Sequence, residues 1–172
     1  MELLDLQPGE RVLLAGVGTG ADLPFLPAGV EAIGVDLSPD MLARARLKLD
    51  KCPASVKLIQ GDAQGLTVAE GLFDAAILNL ILSVIPDGRA CLQSALCALK
   101  PDGRAVIFDK FLPEGSTPSR MRSFFNLFST FLGTDINRRL CDFTSDLPCR
   151  ITHEEASIAG GMYRVILLKK NP

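Results

Sequence analysis

"RVLLAGVGTGADLPFLP", residues 11–27, sets three glycines within five positions directly behind a β-prone apolar run. Ordering a glycine costs about 0.5–1 kcal/mol relative to alanine, so a turn this rich in glycine implies that something approaches its backbone closely. Where a buried parallel strand hands over to a helix, backbone N–H groups point outward and the helix dipole favours electron-rich ligand atoms. In an open α/β sheet, the crevice beyond the strand ends is where ligands sit. Gly16, Gly18 and Gly20 follow G-x-G-x-G. That spacing alone also suits a tight strand–helix turn with no ligand.

The segments downstream extend the pattern. "GVEAIGVDLS" reads as a second strand leading into Asp36, twenty residues beyond Gly16. From there a carboxylate can accept hydrogen bonds from both hydroxyls of a ribose; capping the next helix is its other use. "SPDMLARARLKLDK" reads as a helix, with Ser38 as N-cap, Pro39 at N1, and Met41, Leu42, Ala45 and Leu49 on one face. "SVKLIQGDA" is a third strand with Gly61, Asp62 and Ala63 at its end, where a carboxylate can take up an adenine amino group. "FDAAILNL" is a fourth, apolar almost throughout, as a strand covered on both faces must be. "DGRACLQSALCALKP" is helical by its period (Ala90, Leu92, Ala95, Leu96, Leu99) and stops at Pro101, and "DGRAVIFDKFLP" is a fifth strand opened by an Asp-Gly turn. Strands alternating with helices at this spacing argue a parallel sheet with helices on both faces. The three loops together describe a site for an adenine nucleoside substituted at its 5′ end.

At 172 residues, 48% hydrophobic and with a mean hydropathy of +0.26, the chain fits one well-packed domain over residues 1–172. Its net charge of −2 contains no basic block, which disfavours a nucleic-acid partner. Cysteines 52, 91, 97, 141 and 149 form no C-x-x-C pair and read as buried, reduced thiols of a cytoplasmic protein. "MELLDLQPGE" lacks the basic start of a signal peptide, and no apolar run reaches the roughly 20 residues of a membrane helix. Residues 1–110 thus read as the nucleoside-binding part. Residues 111–145 hold a helix with an aromatic face (Phe124, Phe125, Phe128, Phe131), and residues 146–172 a hairpin turning at Gly160-Gly161.

The order and spacing of "VLLAGVGTG", "GVDLSPDMLARAR", "GDAQGL", "FDAAILNL" and "LKPDGRAVIFD" resemble the successive motifs of class I S-adenosylmethionine-dependent methyltransferases. The similarity is closest to small-molecule and lipid methyltransferases of the ubiquinone/menaquinone-biosynthesis and phospholipid-methylating type. It implies a Rossmann-like seven-stranded α/β sheet, mainly parallel, with an antiparallel C-terminal strand and helices on both faces. It also implies roles for particular residues. Gly16, Val17, Gly18, Thr19 and Gly20 would line the methionine part of S-adenosylmethionine, and Asp36 would hold the ribose, with Leu37 and Met41 packing on the adenine. Gly61, Asp62 and Ala63 would meet the adenine edge, and Asn79 with Leu80 would flank the sulfonium. Two departures stand out. The acid that the family commonly places in the first strand is Leu14 here, so its service to the glycine loop and the methionine amino group is weakened or met otherwise. The first strand also starts at residue 11, where relatives carry a further helix or two over the pocket. An open site is expected, or cover by the aromatic helix or a partner subunit.

Methyl transfer from a sulfonium requires orientation and desolvation more than protein acid–base chemistry, and it requires no metal. "LNLILSVIP" lacks the Asn/Asp-Pro-Pro-aromatic tetrapeptide with which some relatives grip nucleobases or glutamine, so a small-molecule or lipid acceptor is expected. Within residues 111–139, Asp135 and Asn137 are the candidate substrate contacts, and Arg120, Arg122, Arg138 and Arg139 could meet an anionic head group. Asp109, closing the fifth strand, is the candidate for steering a cationic or amine acceptor; the lone His153 reads as a surface histidine of the hairpin and Tyr163 as packed. The product would be S-adenosylhomocysteine. A partly uncovered aromatic helix would favour a homodimer. Two other readings compete: an NAD-dependent oxidoreductase, against which the tight glycine spacing and the lack of a second domain count, and a non-catalytic S-adenosylmethionine-binding protein.

Overall fold

In the computed structural model, which describes residues 2–111, 143–157 and 163–172, the alternation in the sequence becomes seven strands and two α-helices. In chain order these are β1 (Arg11–Ala15), β2 (Glu31–Asp36), α1 (Pro39–Arg46), β3 (Ser55–Gln60), β4 (Phe73–Asn79), α2 (Gly88–Ala98), β5 (Leu99–Lys110), β6 (Cys149–Ala156) and β7 (Tyr163–Lys170). The strands form one sheet in the order β3-β2-β1-β4-β5-β7-β6. The first five pair in parallel, and β7 runs antiparallel to both β5 and β6. This is the mainly parallel, seven-stranded arrangement expected from the motifs, and the hairpin supplies its antiparallel strand. The chain winds outward from β1 to β3, then returns to start again at β4. Strand order therefore reverses between β1 and β4, where an open sheet leaves a crevice beyond its carboxyl ends.

Two cores hold the sheet, one on each face. Side chains alternate along a strand, so Leu13 and Ala15 of β1 join Ala76 and Leu78 of β4 beneath Leu92, Ala95 and Leu96 of α2. Val12 and Leu14 point the other way, with Ala75 and Ile77, towards Leu42 and Ala45 of α1. The near-unbroken apolar composition of β1 and β4 follows from this double cover. Truncating a central leucine such as Leu13 or Leu78 to alanine costs about 2–5 kcal/mol in such settings.

Local chemistry sets the helix ends. Ser38 Oγ accepts from the Met41 N–H at 3.3 Å, and Asp87 Oδ1 accepts from the Ala90 N–H at 2.9 Å, each satisfying a donor the helix leaves free. Two expectations need correction. Helix α1 stops at Arg46, where the Leu47 N–H turns back onto the Arg44 carbonyl, so Leu49 falls in a separate 3-10 turn, Leu49–Lys51. Leu99 is strand rather than helix: Pro101 disfavours helical backbone at Lys100, α2 ends at Ala98, and Leu99 pairs with Phe73 instead. The hairpin strands form as expected. Its turn at Gly160-Gly161, the aromatic helix, Arg120, Arg122, Arg138, Arg139 and Cys141 lie outside the described residues. Cys91 is buried, and burial, helped by the charges of Asp62 and Asp109, pushes its thiol up to about 12. Cys52 and Cys149 are half-buried and Cys97 is exposed, which corrects the expectation of uniformly buried thiols. Among the described residues, no helix is long and apolar enough to cross a membrane.

Candidate functional site

The loops at the carboxyl ends of β1 to β5 surround a cavity of about 670 Å³, large enough for a ligand of nucleoside size or more. At β1 the chain turns sharply. Gly16 and Val17 both donate to the Val35 carbonyl at 2.9 Å, fastening the glycine loop to β2. Gly16 has φ +71°, and a Cβ there would overlap the Ile81 side chain, so this glycine lets the loop after β4 close over β1. At Gly18 (φ +54°) a Cβ would meet only the Gly16 carbonyl, at 4.0 Å, so the left-handed backbone rather than a close neighbour calls for glycine there.

Asp36 ties two loops together. One carboxylate oxygen accepts from the Gly18 N–H at 2.7 Å, the other from the Ser38 N–H at 2.9 Å. Each oxygen keeps a further lone pair. The carboxylate thus serves as a turn anchor and still presents acceptor capacity to the cavity. Beside it Leu37 is 66% exposed and Met41 39%, two large apolar side chains open on the cavity wall. At β3, Asp62 caps a 3-10 turn (Ala63–Gly65) and accepts from the Gln64 backbone N–H at 2.9 Å and from Gln64 Nε2 at 3.1 Å. These bonds hold its carboxyl below the usual carboxylate range. Gln64 in turn accepts from the Asp87 N–H at 2.8 Å, tying this loop to the start of α2.

On the β4 side the lining changes character. Asn79 Nδ2 donates to Asp22 Oδ1 at 2.9 Å across the cavity floor. Leu80 takes a left-handed conformation (φ +55°), held by its N–H donating to the Phe108 carbonyl at 2.7 Å. Such a backbone costs a leucine about 1–2 kcal/mol, and strain of this kind concentrates at functional sites. The wall continues through Ile81, Val84, Ile85, Pro86 and Phe108; Leu80 is 47% and Val84 51% exposed. Tyr163 stacks on Phe108 at 5.5 Å, with Lys110 Nζ 5.5 Å from the Tyr163 ring centre.

Most residues singled out from the sequence meet here: Gly16, Val17, Gly18 and Thr19 from the first loop, Asp36, Leu37 and Met41 from the second, Asp62 and Ala63 from the third, and Asn79 and Leu80 from the fourth line the cavity. Two do not. A Cβ on Gly20 would press on Leu23 and Ala45, so that glycine serves the packing of α1, and Gly61 donates its N–H to the Asp36 carbonyl behind the cavity wall. Asp109 needs correcting outright. It is 0% exposed, and its carboxylate accepts from the backbone N–H groups of Ser83 (3.1 Å) and Lys110 (2.7 Å), so it anchors the β4–α2 loop instead of lining the cavity. Leu14, 1% exposed, is sealed in the core against α1. His153 lies on the edge strand β6, 3.4 Å from Glu155, away from the cavity. Asp135 and Asn137 lie outside the described residues. Sequence reading passed over Asp22, Gln64 and the apolar residues Ile81, Val84, Ile85 and Pro86. Asp22 and Gln64 were findable as polar residues beside recognised motifs; the apolar residues carry no local signature.

Comparison with known proteins agrees with this fold. The family described as methyltransferase domain matches residues 13–107. Phosphatidylethanolamine N-methyltransferase of Cereibacter sphaeroides is 26% identical over 164 residues, which cover 94% of this chain and 81% of that protein. A demethylmenaquinone methyltransferase of Thermus thermophilus is 31% identical over 72% of this chain, which spans only 58% of that relative's length; for the Paenarthrobacter aurescens protein of the same name the share is 41%. Among solved structures, geranyl diphosphate methyltransferase in complex with S-adenosylmethionine superposes with a TM-score of 0.76 at 16% identity, covering 98% of this chain and 83% of that one. An S-adenosylmethionine-dependent methyltransferase of Methanosarcina mazei gives 0.75 at 17% identity, covering 96% and 94%.

Proposed function

The chain belongs to the S-adenosylmethionine-dependent methyltransferases, and from that premise we propose that it methylates a small apolar or lipid acceptor in the cavity above β1, β4 and β5. One observation carries the reading. The described lining holds three carboxylates, Asp22, Asp36 and Asp62, and no lysine, arginine or histidine. Such a wall attracts a cation, as S-adenosylmethionine is, and repels a pyrophosphate, which any nicotinamide dinucleotide would bring.

Shape and chemistry fit the same ligand. Four strands from β3 to β4 span about 14 Å at ~4.8 Å per strand, room for an extended adenosyl-methionine laid across their ends. Asp62 and the Ala63 backbone hold the adenine edge, Leu37 and Met41 cover its faces, and Asp36 accepts from the ribose hydroxyls. The Gly16–Thr19 loop, which has no side chain at Gly16 or Gly18, receives the methionine part. Bound there, S-adenosylmethionine supplies a methyl carbon on a positively charged sulfur, open to in-line displacement. The protein's share is orientation and exclusion of water. Leu80, Val84, Ile85 and Phe108 wall the space beyond Asn79, so an acceptor is held there by apolar contact and its nucleophile arrives without a charged escort from these elements. The names of the relatives, a phospholipid methyltransferase and quinone-precursor methyltransferases, support an acceptor of this kind.

The test is transfer of labelled methyl from S-adenosylmethionine to phosphatidylethanolamine vesicles, a demethylated naphthoquinol, protein and RNA, assayed side by side. Label in an organic-extractable product is expected. Label confined to protein or RNA acceptors would overturn the acceptor class.

A further inference from the structure

We propose that Asp22 is the residue that binds the α-ammonium group of the cofactor's methionine end, with its carboxylate aimed by Asn79. This rests on the cofactor reading above. Asp22 occupies the N-cap position of a 3-10 turn, Leu23–Phe25, where an aspartate ordinarily spends its carboxylate on the turn's free N–H groups. Here the side chain makes no cap hydrogen bond. It turns instead to the cavity, where Oδ1 accepts from Asn79 Nδ2 at 2.9 Å.

The other two cavity carboxylates are already committed. Both oxygens of Asp36 accept from backbone N–H groups, and Asp62 is engaged by the backbone and side chain of Gln64. Among the described residues Asp22 has a single, neutral side-chain partner, so its carboxylate faces the cavity with most of its acceptor capacity unspent. A half-buried carboxylate in that position favours a cationic donor. Position identifies which cation. Asp36 and Asp62 stand at the β2 and β3 ends, where the nucleoside lies, whereas Asp22 and Asn79 stand at β1 and β4, where an extended ligand carries its amino-acid end. The sulfonium and the α-ammonium are the two cations there, and only the ammonium has protons to donate. Asn79 keeps its amide oxygen as a second acceptor beside it. Holding the ammonium at this corner fixes the far end of the cofactor and hence the direction of the reacting methyl.

Calorimetric titration with two uncharged-sulfur ligands tests the assignment: S-adenosylhomocysteine, which carries the amino-acid end, and 5′-methylthioadenosine, which lacks it. Asp22→Asn keeps the shape and removes the charge. The variant is expected to lose at least ten-fold in affinity for S-adenosylhomocysteine while its affinity for methylthioadenosine stays within two-fold, which also shows that the nucleoside end is intact. Losses of similar size for both ligands, or no loss for either, would overturn it. Wild-type protein that binds neither ligand would overturn the cofactor reading along with it, whereas wild type that binds both beside an unchanged variant overturns the role of Asp22 alone.

Discussion

The two halves of the cavity rim are built on different principles. From β1 to β3 backbone N–H groups tie the loops: those of Gly18 and Ser38 donate to the Asp36 carboxylate, that of Gln64 to the Asp62 carboxylate, and that of Gly61 to the Asp36 backbone carbonyl. From β4 to β5 the wall beyond Asn79 is apolar and partly exposed, carries a strained Leu80, and has the carboxylate of Asp109 buried out of the lining. One half recognises a fixed ligand by directional bonds; the other offers shape and dryness to a partner chosen by contact. An aspartate at a strand end therefore means different things in the two halves.

Replacing one aspartate from each half separates these meanings. Asp109→Ala leaves the buried N–H of Ser83 unpaired and should cost about 2–4 kcal/mol of stability, read by urea unfolding, while folded protein keeps its affinity for S-adenosylhomocysteine. A stable variant that fails in transfer would return Asp109 to the reaction. Asp36→Ala should do the reverse, weakening nucleoside binding by about 2 kcal/mol, roughly thirty-fold, with a smaller effect on folding. Unchanged affinity would break the contrast between the halves.

Leu80 sharpens the comparison from the apolar side. Glycine relieves about 1–2 kcal/mol of left-handed strain and returns about 0.5–1 kcal/mol as lost chain entropy. Leu80→Gly should therefore melt no lower than wild type, while methyl transfer falls because the wall flanking Asn79 is gone. A lower melting point would show that contacts of the side chain outweigh the strain.

The smallest effect lies at the opposite end of the sheet and serves as a control. Arg104 grips Glu10 through both its terminal nitrogens, at 2.7 and 2.9 Å, and holds its carboxyl below the usual carboxylate range. Burial pulls Asp74 upward, but the Arg11 N–H and Lys100 outweigh it and leave that carboxyl low as well. Both groups bind protons more weakly when folded, so their contribution is complete at neutral pH and is lost as pH falls through and below the ordinary carboxylate range. Glu10→Gln should cost about 1 kcal/mol or less at pH 7 and flatten the acid limb of the melting curve, with binding at the rim unaffected.

What the sequence revealed follows the same division. The tied half was legible because it depends on backbone geometry: Gly16 and Gly18 are needed where φ is positive, and Asp36 and Asp62 close their strands at positions that the period of the chain locates. Gly20 shows the limit of that reading, since its missing side chain makes room for α1 rather than for a ligand. The apolar half was opaque. Val84, Ile85 and Phe108 look like any core residues in one dimension, and only the fold shows that they also line the cavity. Asp109 misled for the complementary reason: a strand-end aspartate looks available until the β4–α2 loop is seen closing over it. Leu99 went astray locally, because the helical period runs one residue past the point at which Pro101 ends the helix.

The central claim is that a carboxylate-lined rim selects an adenosyl ligand that ends in an ammonium group over a dinucleotide that carries a pyrophosphate. Paired calorimetric titrations of the wild-type protein with S-adenosylhomocysteine and with NAD+ test it most directly. One equivalent of S-adenosylhomocysteine should bind, with no heat from NAD+ at the same concentrations. Preferential binding of NAD+, or silence with both ligands, would contradict the account.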